Sequence, residues 1–114
     1  MSGITTSIII PAHGHDGMTE ACVNAVLASD ARSAEVIVID DATSPPLALR
    51  GASGARLVTT SHNVGFADAC NLGAREAHGD VLVFLNNDAR VGATWIQTML
   101  ELSLIHISEP TRPE

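Results

Sequence analysis

The chain has 114 residues and a mass of 11.9 kDa; 46% of its residues are hydrophobic, 17% charged and 3% aromatic, and its formal net charge is −7. This length limits it to one domain or part of one, and an apolar fraction made mainly of Val, Ile, Leu and Ala suits an α/β protein with buried parallel strands. The acidic balance excludes a nucleic-acid binder, which needs an electropositive face to displace counterions, so an anionic ligand has to be met locally by backbone NH groups or a metal ion.

The opening "MSGITTSIIIPAHG" carries no basic segment, and its apolar run is too short for a secretory signal or a membrane span, so the chain reads as cytoplasmic. "SIIIP", Ser7 to Pro11, is a continuous apolar run closed by proline, the pattern of a fully buried strand. "AHGHDG" follows as a turn. Met18, Cys22, Val23, Val26 and Leu27 then fall at helical spacing, with Asp16 or Thr19 as the expected N-cap and the pattern fading by Asp30.

"EVIVID", Glu35 to Asp40, reads as a second buried strand, and the Pro-, Gly- and Ser-rich stretch after it as a connection with room for a short helical turn. "RLVTT", Arg56 to Thr60, is a third strand. After the turn "SHNVG", Phe66, Ala69, Cys70, Gly73 and Ala77 mark one face of a helix, with Gly79 as its expected C′ residue. "DVLVFL", Asp80 to Leu85, is a fourth buried strand, and another helix begins within Ala93 to Leu100. Cys22 and Cys70 lack a metal-ligand spacing and fall in helical segments, so free thiols in a reducing compartment are expected.

The end of the sequence, "LSLIHISEPTRPE", differs in kind. From Leu102 to Arg112 it matches, without a mismatch, the translation of a transposase mosaic-end sequencing adapter. The expected organisation is therefore one partial domain over residues 1–101 and a non-native tail over 102–114, excluded from fold reasoning as a cloning scar would be.

Strands alternating with helices imply a mainly parallel, Rossmann-like sheet with helices on both faces, whose ligands bind beyond the carboxyl ends of the strands. Every polar cluster falls there: "AHGHD", Asp40 and Asp41, "SHNVG", and Asn86 to Asp88. Asp88, just past a buried strand, has the chemistry to hold a divalent cation on a diphosphate; equally, Asp and Asn favour turns through their own side-chain hydrogen bonds. Asp40 and Asp41 pose the same choice between a base or ribose contact and a solvated loop. Gly65 permits a tight turn into a helix whose N-terminal NH groups could face phosphate. Neither "GASG" nor "AHGHDG" fits a dinucleotide fingerprint or a P-loop, and His13, Gly14, His15 and Asp16 miss the binuclear metallohydrolase spacing by one residue and a final His.

Taken together, "SIIIPAHG", "EVIVIDDAT" and "TSHNVGFADACNLGAREAHGDVLVFLNNDARV" resemble the N-terminal nucleotide-binding half of family 2 inverting glycosyltransferases of the GT-A fold, in the rhamnosyltransferase-like, cell-surface polysaccharide branch. The resemblance covers Ile4 to Glu101. It implies a truncated GT-A half-domain and a metal-dependent transferase using Mg²⁺ or Mn²⁺. It implies a nucleoside-diphosphate sugar as donor and a saccharide or lipid-linked acceptor. Location is implied in the cytoplasm or at the inner membrane face, with peripheral membrane association open for the full-length protein. Residue by residue, Pro11, Ala12 and His13 match the loop against the nucleotide, Asp40 the base-contacting aspartate, and Asn63 and Gly65 the Asn-x-Gly turn. Asn71 matches a helix asparagine near the donor, although Cys70 stands where Asn or Arg is common. Asn86 to Asp88 match the Asp-x-Asp-type motif, with Asn86 in place of the first acid, Asn87 beside the nucleotide and Asp88 as the metal ligand. The carboxylate base of such enzymes lies downstream, so no catalytic residue is expected within residues 1–101. Two other readings remain at this point, a sugar-phosphate nucleotidyltransferase and a non-catalytic nucleotide-binding domain; the first usually carries a basic Gly-rich loop after its first strand, and no Lys or Arg precedes Arg32.

Overall fold

The computed structural model describes residues 5–31, 33–48 and 54–98. Along the chain run β1 (Thr6–Ala12), α1 (Asp16–Leu27), β2 (Glu35–Asp40), β3 (Arg56–Thr59), α2 (Phe66–Glu76) and β4 (Val81–Phe84). The four strands form one parallel sheet in the order β3-β2-β1-β4, with Ile9 beside Ile37 on one side and Phe84 on the other.

The two central strands are apolar at consecutive positions because both of their faces are covered. Ile8, Ile9, Ile10, Ile37, Val38 and Ile39 all have 0% exposure, and each such side chain contributes about 1.5–3 kcal/mol by leaving water. Successive side chains point to opposite faces. Ile8, Ile10, Val36 and Val38 therefore meet Cys22, Val23 and Val26 of α1, while Ile9, Ile37 and Ile39 meet Ala69 of α2. The helices thus cover opposite faces, as the alternating pattern requires. Cys22 and Cys70 are both free, and they sit on these two helices with the sheet between them.

Four local expectations need correction. The N-cap of α1 is His15, in the left-handed region at φ 62° and with no side-chain cap; Thr19, instead of capping, is buried in the helix. In α2 the buried positions are Ala69 and Gly73, and Phe66 points away from the core at 60% exposure. A Cβ at Gly73 would lie 2.4 Å from Ile9 Cγ2, so α2 approaches the sheet at a distance a side chain would block. The helix ends at Glu76 with Ala77 as its cap, and Gly79 serves a different purpose: a Cβ there would lie 2.6 Å from Ser7 Oγ and 2.7 Å from Ser7 N. Finally, β4 is an edge strand, with Leu82 and Phe84 exposed at 38% and 47%.

The close approach at Gly79 belongs to a polar clamp at the amino ends of the strands. Glu35 accepts hydrogen bonds from Ser7 Oγ at 2.7 Å, the His78 backbone NH at 2.8 Å and His78 Nδ1 at 2.9 Å, and Ser7 Oγ in turn accepts the Gly79 NH at 2.8 Å. The His78 backbone bond, then its ring, then Ser7 hold the Glu35 carboxyl at about 2. Arg56 adds ion pairs to Glu35 at 3.8 Å and to Glu76.

Residues 41–48 contain no helix, and the rest of the expected helical turn lies outside the described residues, as does the adapter-like tail. Residues 95–98 are helical, and their start is capped at long range: Asp30 accepts the backbone NH of Ile96 at 3.1 Å and of Gln97 at 2.9 Å. Among the described residues no helix is long and apolar enough to cross a membrane.

Candidate functional site

The strand order places a topological switch beside β1, because α1 carries the chain to β2 on one side and α2 returns it to β4 on the other. Loops diverging from the carboxyl ends of such strands leave a crevice between them. A cleft of about 270 Å³ opens there, lined by Pro11, Ala12, His13, His15, Asp41, Phe66, Ala69, Asn86 and Asn87. A larger recess of about 670 Å³ lies at the opposite edge, near Thr5, Asp30, Glu35 and His78. The carboxylates there are already engaged in the clamp and the helix cap just described. The smaller cleft is the better candidate because its polar groups keep free positions.

Asp41 organises this edge. Its Oδ1 accepts the Val64 NH at 2.8 Å and the Thr60 hydroxyl at 3.1 Å, and its Oδ2 accepts the Gly65 NH at 2.9 Å. Its own NH donates to Ala12 O at 2.8 Å, and its carbonyl accepts His13 Nδ1 at 2.6 Å. One residue therefore joins the loops that follow β1, β2 and β3. Burial raises the Asp41 carboxyl, but the hydrogen bonds from Val64, Gly65 and Thr60, with the nearby His13, outweigh it and leave the group below its ordinary value.

Asp40, next to it, points to the other face of the sheet. It is fully buried, its carboxylate accepting the Thr43 NH at 3.1 Å and the Leu47 NH at 3.0 Å, so it shapes the loop after β2 and does not line the cleft. Thr43 passes that order on by accepting the Gly14 NH at 2.7 Å.

The loop geometry is unusual in one respect. The described residues with positive φ are Gly14 at 79°, His15 at 62°, Ala42 at 56° and Gly65 at 90°, and all follow the carboxyl ends of strands. Gly65, with ψ 166°, occupies a region essentially restricted to glycine, which is why "NVG" leads into α2. His15 and Ala42 adopt the left-handed conformation without that licence, and such strain gathers where a surrounding scaffold over-determines it.

The fourth loop supplies the amides and the acid. Asn87 donates to Thr19 Oγ1 at 3.1 Å, tying β4's loop to the first turns of α1 and leaving its carbonyl oxygen available. Asp88 is exposed, and its carboxylate makes no hydrogen bond or ion pair with the described residues; Arg90 bonds instead to the carbonyls of Asp88 and Ala89 at 3.5 and 3.3 Å. No group of three His, Cys, Asp or Glu among the described residues forms a ready-made metal cage. A single unpaired carboxylate still fits Mg²⁺ or Mn²⁺, ions that take one or two protein carboxylates and fill their remaining positions with phosphate oxygens and water.

Of the residues the sequence nominated, Pro11, Ala12, His13 and Asn87 line the cleft, Gly65 is bonded to Asp41, and Asp88 stands beyond it on the Asn87 loop. Asn63 reaches the His13 ring at 3.5 Å, a marginal distance. Asn71 is not brought there; it lies on the outer side of α2 with Thr60, Asp68 and Arg75. Sequence reasoning missed His15, Phe66 and the organising role of Asp41. The doublet "DD" was a signal for the last, but only the facing of each side chain separates the two acids.

Three comparisons bear on this geometry. Residues 7–104 match the family model described as glycosyl transferase family 2. An uncharacterized glycosyltransferase of Haemophilus influenzae is 27% identical over 84 residues, covering 72% of this chain and 29% of that protein. Among solved structures, S. aureus TarS 1-349 superposes with a TM-score of 0.71 at 15% identity, covering 97% of this chain and 39% of that one. The mannosyltransferase PcManGT of Pyrobaculum calidifontis, solved with GDP-Man and Mn²⁺, gives 0.70 at 21% identity, covering 95% and 33%. The chain thus spans under a third of the curated relative and between a third and two fifths of these structures, and shares the GT-A fold of the latter. With a family match that runs across all four strands, the chain belongs to glycosyl transferase family 2.

Proposed function

We propose that this chain is the donor-binding part of a glycosyltransferase that transfers a sugar from a nucleoside-diphosphate sugar to a saccharide or lipid-linked acceptor, with inversion, in cell-surface polysaccharide synthesis. The observation that carries the reading is the meeting, at the switch point beside β1, of the His13, Asp41 and Asn87 loops, with the exposed Asp88 next along the chain from Asn87. The structural neighbours support it, since PcManGT was solved with GDP-Man and Mn²⁺ and TarS with UDP or UDP-GlcNAc.

In this reading Pro11, Ala12 and His13 form the wall against the nucleoside. Asn63 and Gly65 shape the turn into α2, and the amino ends of α1 and α2 turn their NH groups and positive dipole ends toward the diphosphate. This is how an acidic chain meets an anionic donor. Asp88 would hold Mg²⁺ or Mn²⁺, which supplies charge neutralisation to the departing diphosphate. Asn87 stays near the nucleotide. Asp40 acts through the loop it caps, and Asn71 lies on the outer side of α2, away from the cleft. The carboxylate that deprotonates the acceptor hydroxyl lies downstream of residue 101, in the part of the enzyme that the tail over 102–114 replaces. The setting is the cytoplasm or the inner face of the membrane.

The test is calorimetric titration of the 114-residue chain and of the full-length gene product with nucleoside diphosphates in the presence of Mn²⁺, beside a transfer assay with nucleotide sugars. Metal-dependent binding by both, and transfer by the longer protein alone, is the expected result. Failure of both proteins to bind any nucleotide would refute the reading. Acceptor-dependent nucleotide release by the short chain at the rate of the longer one would refute the placement of the base.

A further inference from the structure

The Asp88 carboxylate makes no hydrogen bond or ion pair with the described residues, so whatever fixes its place has to act on the backbone that carries it. Residues 86–89 form a turn closed by the Ala89 NH on Asn86 O at 3.0 Å, and the chain enters it from the Leu85 NH on Ile9 O at 2.9 Å. Two further bonds come from α1. Thr19 Oγ1 accepts the Asn87 side-chain amide at 3.1 Å, and Cys22 Sγ donates to Asn86 O at 3.5 Å. At helical spacing Thr19 and Cys22 share one face of α1, and both have 0% exposure. Together they grip the two residues that precede Asp88. A buried hydroxyl costs free energy unless it is bonded, and valine would fill nearly the same space; the bond to Asn87 is what the Thr19 hydroxyl adds.

We infer that Thr19 and Cys22 are positioning residues: by holding Asn87 and Asn86 they fix the turn that presents Asp88 to the donor's divalent cation. The inference rests on the donor-binding reading and extends its metal site to buried residues of α1. A cation held through one carboxylate takes its other ligands from phosphate and water, so its affinity depends on where that carboxylate stands relative to the diphosphate. Metal ligands are held in place by partners of their own. Asp88 has no such partner among the described residues, and the task passes to its neighbours in the turn. Without the Thr19 hydroxyl the Asn87 amide is free to turn to solvent, and the turn keeps only the Ala89 bond and the thiol. Thr19 contributes more than Cys22, because a thiol is a weak donor and 3.5 Å is long. The same helix begins at His15, which lines the cleft, so α1 places a wall of the cleft and the turn with Asp88 as one body.

The experiment titrates the 114-residue chain and the full-length gene product with UDP, dTDP, GDP, CDP and ADP, once in Mn²⁺ and once in EDTA. The quantity read is the factor by which Mn²⁺ tightens binding. Thr19→Val, which keeps the shape without the hydroxyl, should lower that factor by about tenfold and leave binding in EDTA unchanged. Thr19→Ser, which keeps the acceptor, should restore it, and Cys22→Ala should lower it by less than Thr19→Val. Partial unfolding would weaken binding in both conditions and leave the factor unmoved. In the protein without nucleotide or metal, ¹H–¹⁵N spectra should show the Asn87 side-chain amide shifted and the Ala89 NH exchanging faster in Thr19→Val. Unchanged exchange at Ala89, an unchanged Mn²⁺ factor in Thr19→Val, or no restoration by Thr19→Ser would overturn the inference and leave the donor site standing. Nucleotide binding that Mn²⁺ does not tighten would overturn the inference and the role of Asp88. No binding of any nucleotide by either protein would overturn the donor-binding reading with it.

Discussion

The Asp41 carboxylate accepts the backbone NH of Gly65 at 2.9 Å, and by this bond the end of the second strand holds the loop of the third against the first turn of α2. Because Asp41 is buried at 5% exposure and also accepts from Val64 and Thr60, substitution leaves buried donors unpaired. Asp41→Asn puts an NH₂ group against at least one of these donors, and should cost about 1–3 kcal/mol in urea unfolding while loosening the 60–65 loop. Full wild-type stability, with unchanged hydrogen exchange at Val64 and Gly65, would show that the bond does not hold the loop.

Glu35 makes stability depend on pH in a stated direction. Its folded-state carboxyl, at about 2, lies below the ordinary value of 4.5. A depressed folded pKa contributes stability that is present above the unfolded value and lost as pH falls toward 2. Part of the effect comes from His78, whose side chain is 81% exposed, so solvent screening reduces the ion-pair share. The bonds from the His78 NH and Ser7 remain. Unfolding measured between about pH 5 and pH 2 should show the wild type losing stability faster than Glu35→Gln. Parallel curves would remove Glu35 as the cause.

Gly73→Ala should destabilise the fold despite the better helix propensity of alanine. The propensity gain is about 1 kcal/mol. Against it, the new methyl would stand 2.4 Å from Ile9 Cγ2, and Ile9 is a fully buried, β-branched side chain in a central strand with nowhere to move. Overpacking of this kind costs about 1–3 kcal/mol, so the net change should be a loss, and the Ile9→Ala, Gly73→Ala double variant, which removes Cγ2, should lose less than the sum of the two single variants. A raised unfolding midpoint in the single variant would mean that α2 shifts without cost.

Asp88→Asn should weaken Mn²⁺-dependent nucleoside-diphosphate binding by at least about tenfold, on the order of 1.4 kcal/mol, and leave the sheet folded. The exposed carboxylate makes no hydrogen bond or ion pair with the described residues, so its loss should not disturb packing. Equal affinity in both forms would take Asp88 out of the site.

Resequencing the locus across the Glu101 codon should give a continuation different from Leu102 to Arg112 and carry further transferase sequence. The family match ends at residue 104, at the start of the adapter-like string. Recovery of the same codons from an independent clone would make the tail native.

What the sequence determined by itself was whatever depends on pattern along the chain. The runs Ile8 to Ile10 and Val36 to Ile39 are apolar at every position, which only burial on both faces explains, and that burial requires a helix on each side of a parallel sheet. With the strands placed, the polar clusters had to gather at one edge. Spacing along the chain carries no record of which way a side chain faces once pairing and approach distances are set. Asp40 and Asp41 are adjacent in sequence, yet the alternation of side chains across the sheet sends one into a loop cap and the other into the cleft. Phe66 fits the helical stripe of α2, but Gly73 brings the helix onto Ile9 in an orientation that leaves Phe66 outside the core and at the cleft. The placement of the His13 ring depends on a carbonyl 28 residues away in the chain, positioned by the register of β1 against β2. Those relationships are distances between segments, and only the tertiary structure decides them.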